Sequence, residues 1–303
     1  MKRALVTGGA GFLGHHIVKE LVQNNIRTTV FDIGTGQSGG NATERGVEYI
    51  TGDINDMEAL RAAMEGSDVV FHTAAIANLD ETRTRPVETM QVNVVGTAKC
   101  LEAARNSGVA RFMFASTVYT AGRYGSFYRV SKQAGESLCK TFYEEFGLEY
   151  TNLRYGSLYG REANHWNFIY TVCRELLTTG EYSYPSSPDA AREYIHINDA
   201  ARETVRIATD REFANKAVLI TGHQRMQIRE FFDMIQEILG KEITVHYKEG
   251  RERSHYRKTP YSFEADIPIR VNLNTYVDIS EGVLDCLREV QRELNGNAEP
   301  HSE

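Results

Sequence analysis

Tyr128 and Lys132 bracket the run Tyr128-Arg129-Val130-Ser131-Lys132, which opens a helical pattern reaching to about Phe146. Four positions of spacing on a helix put the two side chains on one face, a turn apart. A phenol ordinarily keeps its proton to near pH ~10. A neighbouring ammonium favours the phenolate and makes the group usable as a base toward a hydroxyl, and as the acid that returns the proton. Ser116 and Thr117 follow the apolar run 112–115 just upstream, where a hydroxyl can hold a reacting oxygen in line with that base. With 16 tyrosines in the chain, a Tyr-x-x-x-Lys pair is also what chance supplies on a solvated helix face. Its position at the start of the helix that follows a buried strand favours the chemical reading.

A second group of residues supplies a partner for that base. Thr7-Gly8-Gly9-Ala10-Gly11-Phe12-Leu13-Gly14 lies between a strand pattern and a helix pattern, with Gly8, Gly11 and Gly14 three apart. The first glycine permits a tight turn, the second lets backbone approach a pyrophosphate, and the third lets helix and strand pack closely. The helix N-terminus adds unpaired N–H groups and partial positive charge. Asp32 ends the second strand pattern, at the spacing where a carboxylate meets the adenosine ribose hydroxyls and repels a 2′-phosphate, which predicts NAD rather than NADP. A bound nicotinamide cation would further favour the Tyr128 phenolate and bring its pKa toward neutrality. Asp53 and Ile54 after the third strand, and Thr73, Ala74 and Ala75 after the fourth, fall where ligands lie in such sheets. Asp53 reads equally well as an N-cap for the segment from Asn55.

The elements that must hold these residues alternate. Residues 4–7, 28–31, 47–50, 69–71 and 112–115 read as buried strands; Leu13, Ile17, Leu21, then Met57, Leu60, Met64, then Val94, Ala98, Leu101 mark helices between them. This predicts an α/β fold, a Rossmann-type doubly wound parallel sheet with a smaller, discontinuous C-terminal substrate lobe. The expected division is 1–160, together with 191–222, for the NAD-binding domain, and 161–190 with 223–303 for the lobe. Later, 164–177 reads as a helix, 193–197 as a strand with Asn198 capping the next helix, 217–220 as a strand, and 228–239 and 283–294 as helices, with 295–303 a frayed tail. A net charge of -7 argues against nucleic acid or an anionic membrane as partner. Cys100, Cys139, Cys173 and Cys286 show no metal or disulfide spacing, and neither a signal-peptide pattern nor an apolar run of membrane-spanning length occurs, so a cytoplasmic protein without a metal is expected.

Taken in order, Thr7-to-Gly14, Asp32, Gly52-Asp53-Ile54, His72-Thr73-Ala74-Ala75, Asn93, Ser116-Thr117, Tyr128-x-x-x-Lys132, Leu153-Arg154-Tyr155-Gly156-Ser157-Leu158-Tyr159-Gly160 and Arg192-Glu193-Tyr194-Ile195-His196-Ile197-Asn198-Asp199-Ala200 resemble the extended short-chain dehydrogenases/reductases, in the nucleotide-sugar epimerase/dehydratase subgroup. The resemblance covers nearly the whole chain. It implies NAD held by Gly8, Gly11, Phe12, Leu13, Gly14, Asp32, Asp53, Ile54, Thr73, Ala74, Ala75, Asn93, Tyr128, Lys132 and Tyr155. It implies Thr117 as the catalytic hydroxyl, with Ser116 the candidate if the register shifts by one, Tyr128 as base, and Lys132 as its activator and a ribose ligand. It places a nucleotide-diphosphate sugar against Thr117, Ser157 and Arg192, the guanidinium taking the diphosphate; the plainer role for Arg192 is an ion pair with Glu193 or a neighbour. It implies a homodimer through a four-helix bundle built from 93–106 and 128–146.

The same resemblance orders the reactions. Family 4,6-dehydratases follow the threonine with Asp-Glu, where this chain has Val118-Tyr119; the decarboxylases place a glutamate in that stretch, and epimerase-reductases an extra cysteine or histidine. What is left suits reversible oxidation at C4, a 4-epimerase that regenerates its NAD; the alternatives are another keto-sugar enzyme (dehydratase, decarboxylase or reductase) or a non-catalytic NAD sensor. Two departures bear on the substrate: the segment between Thr117 and Tyr128 is short, and Ser157 stands where many relatives carry asparagine. His165-Trp166-Asn167 reads as packing and capping, Arg251 and Arg253 as a solvated loop, and one of His15 and His16 as a neighbour of the cofactor phosphate.

Overall fold

The computed structural model describes residues 1–34, 46–222 and 225–248, all within one of two compact units, Met1–Phe263. The expected helix 283–294, the tail, Arg251 and Arg253 lie outside the described residues. The first half alternates as its apolar runs require: β1 (Arg3–Thr7), α1 (Phe12–Gln23), β2 (Arg27–Asp32), β3 (Val47–Thr51), α2 (Met57–Met64) and β4 (Val69–His72). Two short helices, α3 (Leu79–Thr84) and α4 (Pro86–Met90), lead through a π-helical turn, Gln91–Gly96, into α5 (Thr97–Asn106). Then come β5 (Arg111–Thr117), a 3₁₀ turn Val118–Ala121, α6 (Ser126–Phe146), β6 (Glu149–Tyr155) and β7 (Ser157–Tyr159). The remainder is α7 (Phe168–Thr178), β8 (Glu181–Tyr184), β9 (Ala191–His196), α8 (Ile197–Thr209), β10 (Lys216–Ile220), β11 (Arg225–Gln227), α9 (Ile228–Leu239) and β12 (Thr244–Tyr247).

Seven strands form one parallel sheet in the order β10-β6-β5-β4-β1-β2-β3, the doubly wound arrangement expected. Successive residues on each strand feed opposite cores, as strand alternation demands. Val6, Phe71 and Met113 pack with Ile17, Leu21 and Val205 on the α1 and α8 side. Leu5, Val70, Phe112 and Phe114 pack with Leu60, Leu101 and Cys139 on the α2, α5 and α6 side. A third core joins Val172, Leu176, Tyr182, Tyr184, Phe231 and Phe232 around α7, β8 and α9. Beside the main sheet, β7 and β11 flank β9, and β12 pairs with β8.

Three local expectations are corrected. The π turn inserts a residue's worth of rotation, so the buried stripe reaches Leu101 as expected but runs to it through Asn93, Gly96, Thr97 and Cys100 rather than Val94 and Ala98. Helix α7 begins after Asn167, not at Asn164, because the Asn167 side chain accepts the Tyr170 amide as its cap. Helix α8 is capped by His196, whose Nδ1 accepts the Asn198 amide; Asn198 is already inside the helix.

One buried side chain ties sheet to helix. His72 places Nδ1 2.7 Å from Thr7 Oγ1 and Nε2 2.9 Å from Thr97 Oγ1, and burial drives its pKa down to about 3. Below pH ~6.5 the unfolded chain takes up a proton that the folded one refuses, so stability is full above that value and falls by about 1.4 kcal/mol per pH unit below it. Urea unfolding at pH 5 should therefore register about 2 kcal/mol less stability from this residue than at pH 7. In His72→Gln that acid loss should shrink by the same amount; an undiminished loss would assign it elsewhere.

Candidate active site

The order in which the chain adds strands reverses between β1 and β4, which run parallel and pair Thr7 with His72. Gly8 leaves β1 at φ +72°, and a Cβ there would sit 2.5 Å from the Ala74 nitrogen. Thr73 closes the other wall: its amide and hydroxyl both reach the Thr7 carbonyl, at 3.0 and 2.8 Å. Gly14 lies under the turn, its missing Cβ 2.2 Å from the Gly8 oxygen. At Gly11 a Cβ would meet only the Gly8 oxygen, at 3.3 Å, and the outward side stays open. Helix α1 starts at Phe12 and Leu13 with no side chain capping it and no acidic residue in its first turn. Those amides and the helix dipole are free to meet an anion.

Asp32 comes to the same loop. Its carboxylate accepts the Ala10 amide at 3.0 Å and the Gly34 amide at 3.1 Å, which holds it beside the glycine turn. Asp53 is not the N-cap of α2. It accepts the Asn55 amide at 2.8 Å in a strand-end turn, and the cap is Asp56, which takes the amides of Glu58 and Ala59. Ile54 is buried in the α2/α5 core, against Gly96. Ala75 stands partly exposed beside Ala74. Asn93 commits its amide to protein, accepting from the Ile76 N–H (2.8 Å) and donating to the Ile76 carbonyl (2.9 Å) and Ser131 Oγ (3.0 Å), so it pins the loop after β4 to α6. Tyr155 points into the core, its hydroxyl 2.6 Å from Thr204 Oγ1 on α8.

Helix α6 carries Tyr128 and Lys132 on the turn-to-turn spacing expected, and two features bring it onto β5. Gly135 is the first: a Cβ there would lie 2.2 Å from the Phe114 ring, so only glycine lets the helix approach this closely. Lys132 is the second, with Nζ 4.8 Å from the Phe114 ring centre and 5.7 Å from that of Tyr128. Desolvation lowers Lys132 to about 8. Burial pushes the Tyr128 phenol upward, so the protein's own groups do not bring it toward neutrality. At the end of β5 the two hydroxyls part. Ser116 Oγ donates to Glu136 at 2.5 Å, whereas Thr117 Oγ1 accepts the Tyr119 amide at 3.3 Å.

Glu136, which the sequence does not single out, and Arg154, which it shows only inside a longer motif with no role of its own, stand at this strand end. Arg154 donates from Nε and Nη2 to the two Glu136 oxygens, at 2.9 and 2.6 Å. The signal was Glu136 at four residues beyond Lys132, the same helical step that linked Lys132 to Tyr128. On the far side, Ser157 opens β7 opposite Tyr194 of β9. Arg192 is buried on β9, with Nη1 3.2 Å from the Ala191 carbonyl and Nη2 3.5 Å from the Tyr184 hydroxyl. His15 and His16 turn toward Glu162, at 3.3 and 3.9 Å. Trp166 is exposed, and Asn167 donates to the Leu158 carbonyl at 2.9 Å besides capping α7.

The glycine turn at the sheet's switch point, with Asp32 against it, is a dinucleotide cradle in its shape. A model of the NAD dependent epimerase/dehydratase family matches residues 4–221. The chain belongs to that family. Its cofactor is NAD, and the resemblance to extended short-chain dehydrogenases/reductases is borne out. Members similar to it do different things. The UDP-glucose 4-epimerase of Streptomyces lividans is 27% identical over 271 residues, covering 79% of this chain and 82% of that one. The UDP-N-acetyl-alpha-D-glucosaminuronate decarboxylase of Bacillus cytotoxicus is 28% identical over 260 residues, covering 78% and 80%. Among solved structures, the UDP-glucose 4-epimerase of Thermotoga maritima with UDP-glucose superposes with a TM-score of 0.76 at 25% identity, over 86% of this chain and 90% of that one. This epimerase/dehydratase-family chain has, among its described residues, no helix long and apolar enough to cross a membrane.

Proposed function

We propose that the chain is a nucleotide-sugar 4-epimerase that oxidises the sugar at C4 and reduces it again on the other face. One observation carries the choice among the family's reactions: the protons available at the end of β5. The ten residues between Thr117 and Tyr128 contain no Asp, Glu, Cys or His. The nearest carboxylate, Glu136, is committed to Arg154 and Ser116. Tyr128 and Thr117 thus remain to handle a single hydroxyl, which suffices for reversible oxidation and lacks the second acid–base pair that elimination of water needs.

NAD, when bound, supplies the reversible hydride acceptor. The uncapped start of α1 with Gly11 would receive its pyrophosphate, Asp32 the adenosine ribose, and Lys132 the nicotinamide ribose. Tyr128 takes the proton of the C4 hydroxyl and gives it back to the same oxygen after the keto sugar has turned. Thr117 donates a hydrogen bond to that oxygen; its amide contact with Tyr119 uses it as an acceptor and leaves its proton for the substrate, while Ser116 spends its own on Glu136. Lys132 keeps its positive charge below pH about 8, and that charge favours the phenolate. Arg192 and Ser157 are assigned to the sugar nucleotide. Exposed Val95, Phe127, Val130 and Phe146 near and along α5 and α6 suit pairing of two copies through a four-helix bundle.

The test is a panel of UDP-, dTDP- and GDP-sugars with mass and proton NMR readout. The expected product keeps the sugar mass and inverts C4; loss of water or of carbon dioxide would overturn the epimerase reading. The cradle has its own test. Gly11→Ala should fold with near-normal stability and lose bound NAD, because its methyl fills the approach to the loop. Gly14→Ala forces backbone apart and should lower stability by about 3 kcal/mol, read as urea midpoint. Equal behaviour of the two would remove Gly11 from the cofactor site.

A further inference from the structure

The segment between Thr117 and Tyr128 is held along one stripe of α6. Arg129 Nη1 donates to the Gly122 carbonyl at 3.3 Å, and Gln133 Nε2 to the Thr120 carbonyl at 3.0 Å. Glu136 completes the stripe: its Oε1 accepts Ser116 Oγ at 2.5 Å and Thr120 Oγ1 at 3.3 Å. The single Thr120 proton is shared between that carboxylate and the Thr117 carbonyl, which is nearer at 2.8 Å. Thr117 is therefore gripped from the residue before it and from the turn after it, by one carboxylate. That carboxylate rides on the same rigid helix as Tyr128 and Lys132.

We propose that Glu136, held by Arg154, is a positioning residue that sets the Thr117 hydroxyl relative to the Tyr128 phenol. It rests on the roles given to Thr117 and Tyr128 above. Accepting from a serine, a threonine and an arginine together requires an acceptor-only group, which an ionised carboxylate is and an amide is not. Arg154 sets two N–H donors against a carboxylate that is only 12% exposed. The ion pair alone would be an ordinary device for fastening β6 to α6. The two hydroxyl contacts, on both sides of Thr117, have no such use and direct its effect to the reacting oxygen.

The test is a double-mutant cycle of Glu136→Gln with Thr117→Val, on the nucleotide sugar that the wild type turns over. Glu136→Gln should lower kcat about 10- to 100-fold, as a misplaced catalytic group does, with KM within about 3-fold and bound NAD unchanged. In the Thr117→Val background the same substitution should cost less than about 2-fold, since the group it positions is gone. An equal loss in both backgrounds, or none in the first, overturns the proposal. Should Glu136→Gln fail to fold, the pair Ser116→Ala with Thr120→Val removes the hydroxyl contacts, leaves the ion pair, and enters the same cycle with the same expected outcomes. A wild type inactive on every sugar of the panel would instead overturn the epimerase reading, and a Thr117→Val variant as active as wild type would overturn the role given to Thr117 alone; either takes this inference with it.

Discussion

Tyr128→Phe is expected to lose about 10³-fold or more in kcat while keeping its NAD and its fold, within the 10²–10⁴-fold range that a positioned acid–base group supplies. The substitution removes one oxygen and leaves the ring, so the packing of α6 on β5 through Gly135 and Phe114 is untouched. Burial already disfavours ionising this phenol, so the folded protein alone carries it as a neutral group and removing it leaves no buried charge behind. Cofactor content, read from the absorbance of the purified protein, should match wild type. KM should change little, since the hydroxyl acts on the proton and not on the nucleotide. A protein that used this scaffold only to sense NAD would be indifferent to the change. Turnover within about 10-fold of wild type would remove Tyr128 as the base, because general acid–base catalysis has no smaller signature.

The chain stated its architecture openly because each strand is a short apolar run and each helix an amphipathic one. Leu5 and Val6, or Met113 and Phe114, each divide between the two faces of the sheet, which is what strands buried on both sides look like in sequence. Asp32 was legible for a related reason: its place beside the glycine turn follows from chain distance to that turn. The π turn at Gln91–Gly96 was not, since it has no composition of its own and shows only as a shift in which residues end up buried. The cap of α8 was misplaced because Asn198 has the stronger intrinsic preference, whereas His196 reaches the amide through the local geometry at the end of β9.

At the site, what sequence could supply were the residues tied together by helical spacing or by a strand end. What it could not supply were pairings through space. Glu136 meets Ser116 and Arg154 across 20 and 18 residues of chain, and neither partner advertises the contact. Gly135 carried a faint mark, a lone glycine inside a strong helical pattern, which is a cost unless something must approach closely. Here the Phe114 ring does. The same logic separates Thr117 from Ser116. Their types are interchangeable in sequence, and only the partner of each hydroxyl tells them apart.

Lys132→Met should make the protein more stable and nearly inactive. Desolvation brings this ammonium down to about 8 from an ordinary value of 10.5. A base whose folded value is depressed opposes folding wherever the unfolded chain is protonated: the cost is full below pH 8 and fades as pH rises toward 10.5. The shift corresponds to about 3 kcal/mol at pH 7. Methionine keeps most of the stem and places a polarisable sulfur against Phe114, so the variant drops the charge without opening a cavity. At about 2–4 °C per kcal/mol for a domain of this size, the melting temperature at pH 7 should rise by several degrees. The difference from wild type should narrow between pH 8 and 10. Turnover should fall about 10²- to 10⁴-fold, since Tyr128 loses the charge that favours its phenolate. A variant less stable than wild type at pH 7 would mean that contact with the Phe114 and Tyr128 rings more than offsets the loss of water. The opposing signs have one cause: an ammonium kept from water is costly to hold, and for the same reason its field reaches the phenol with little screening.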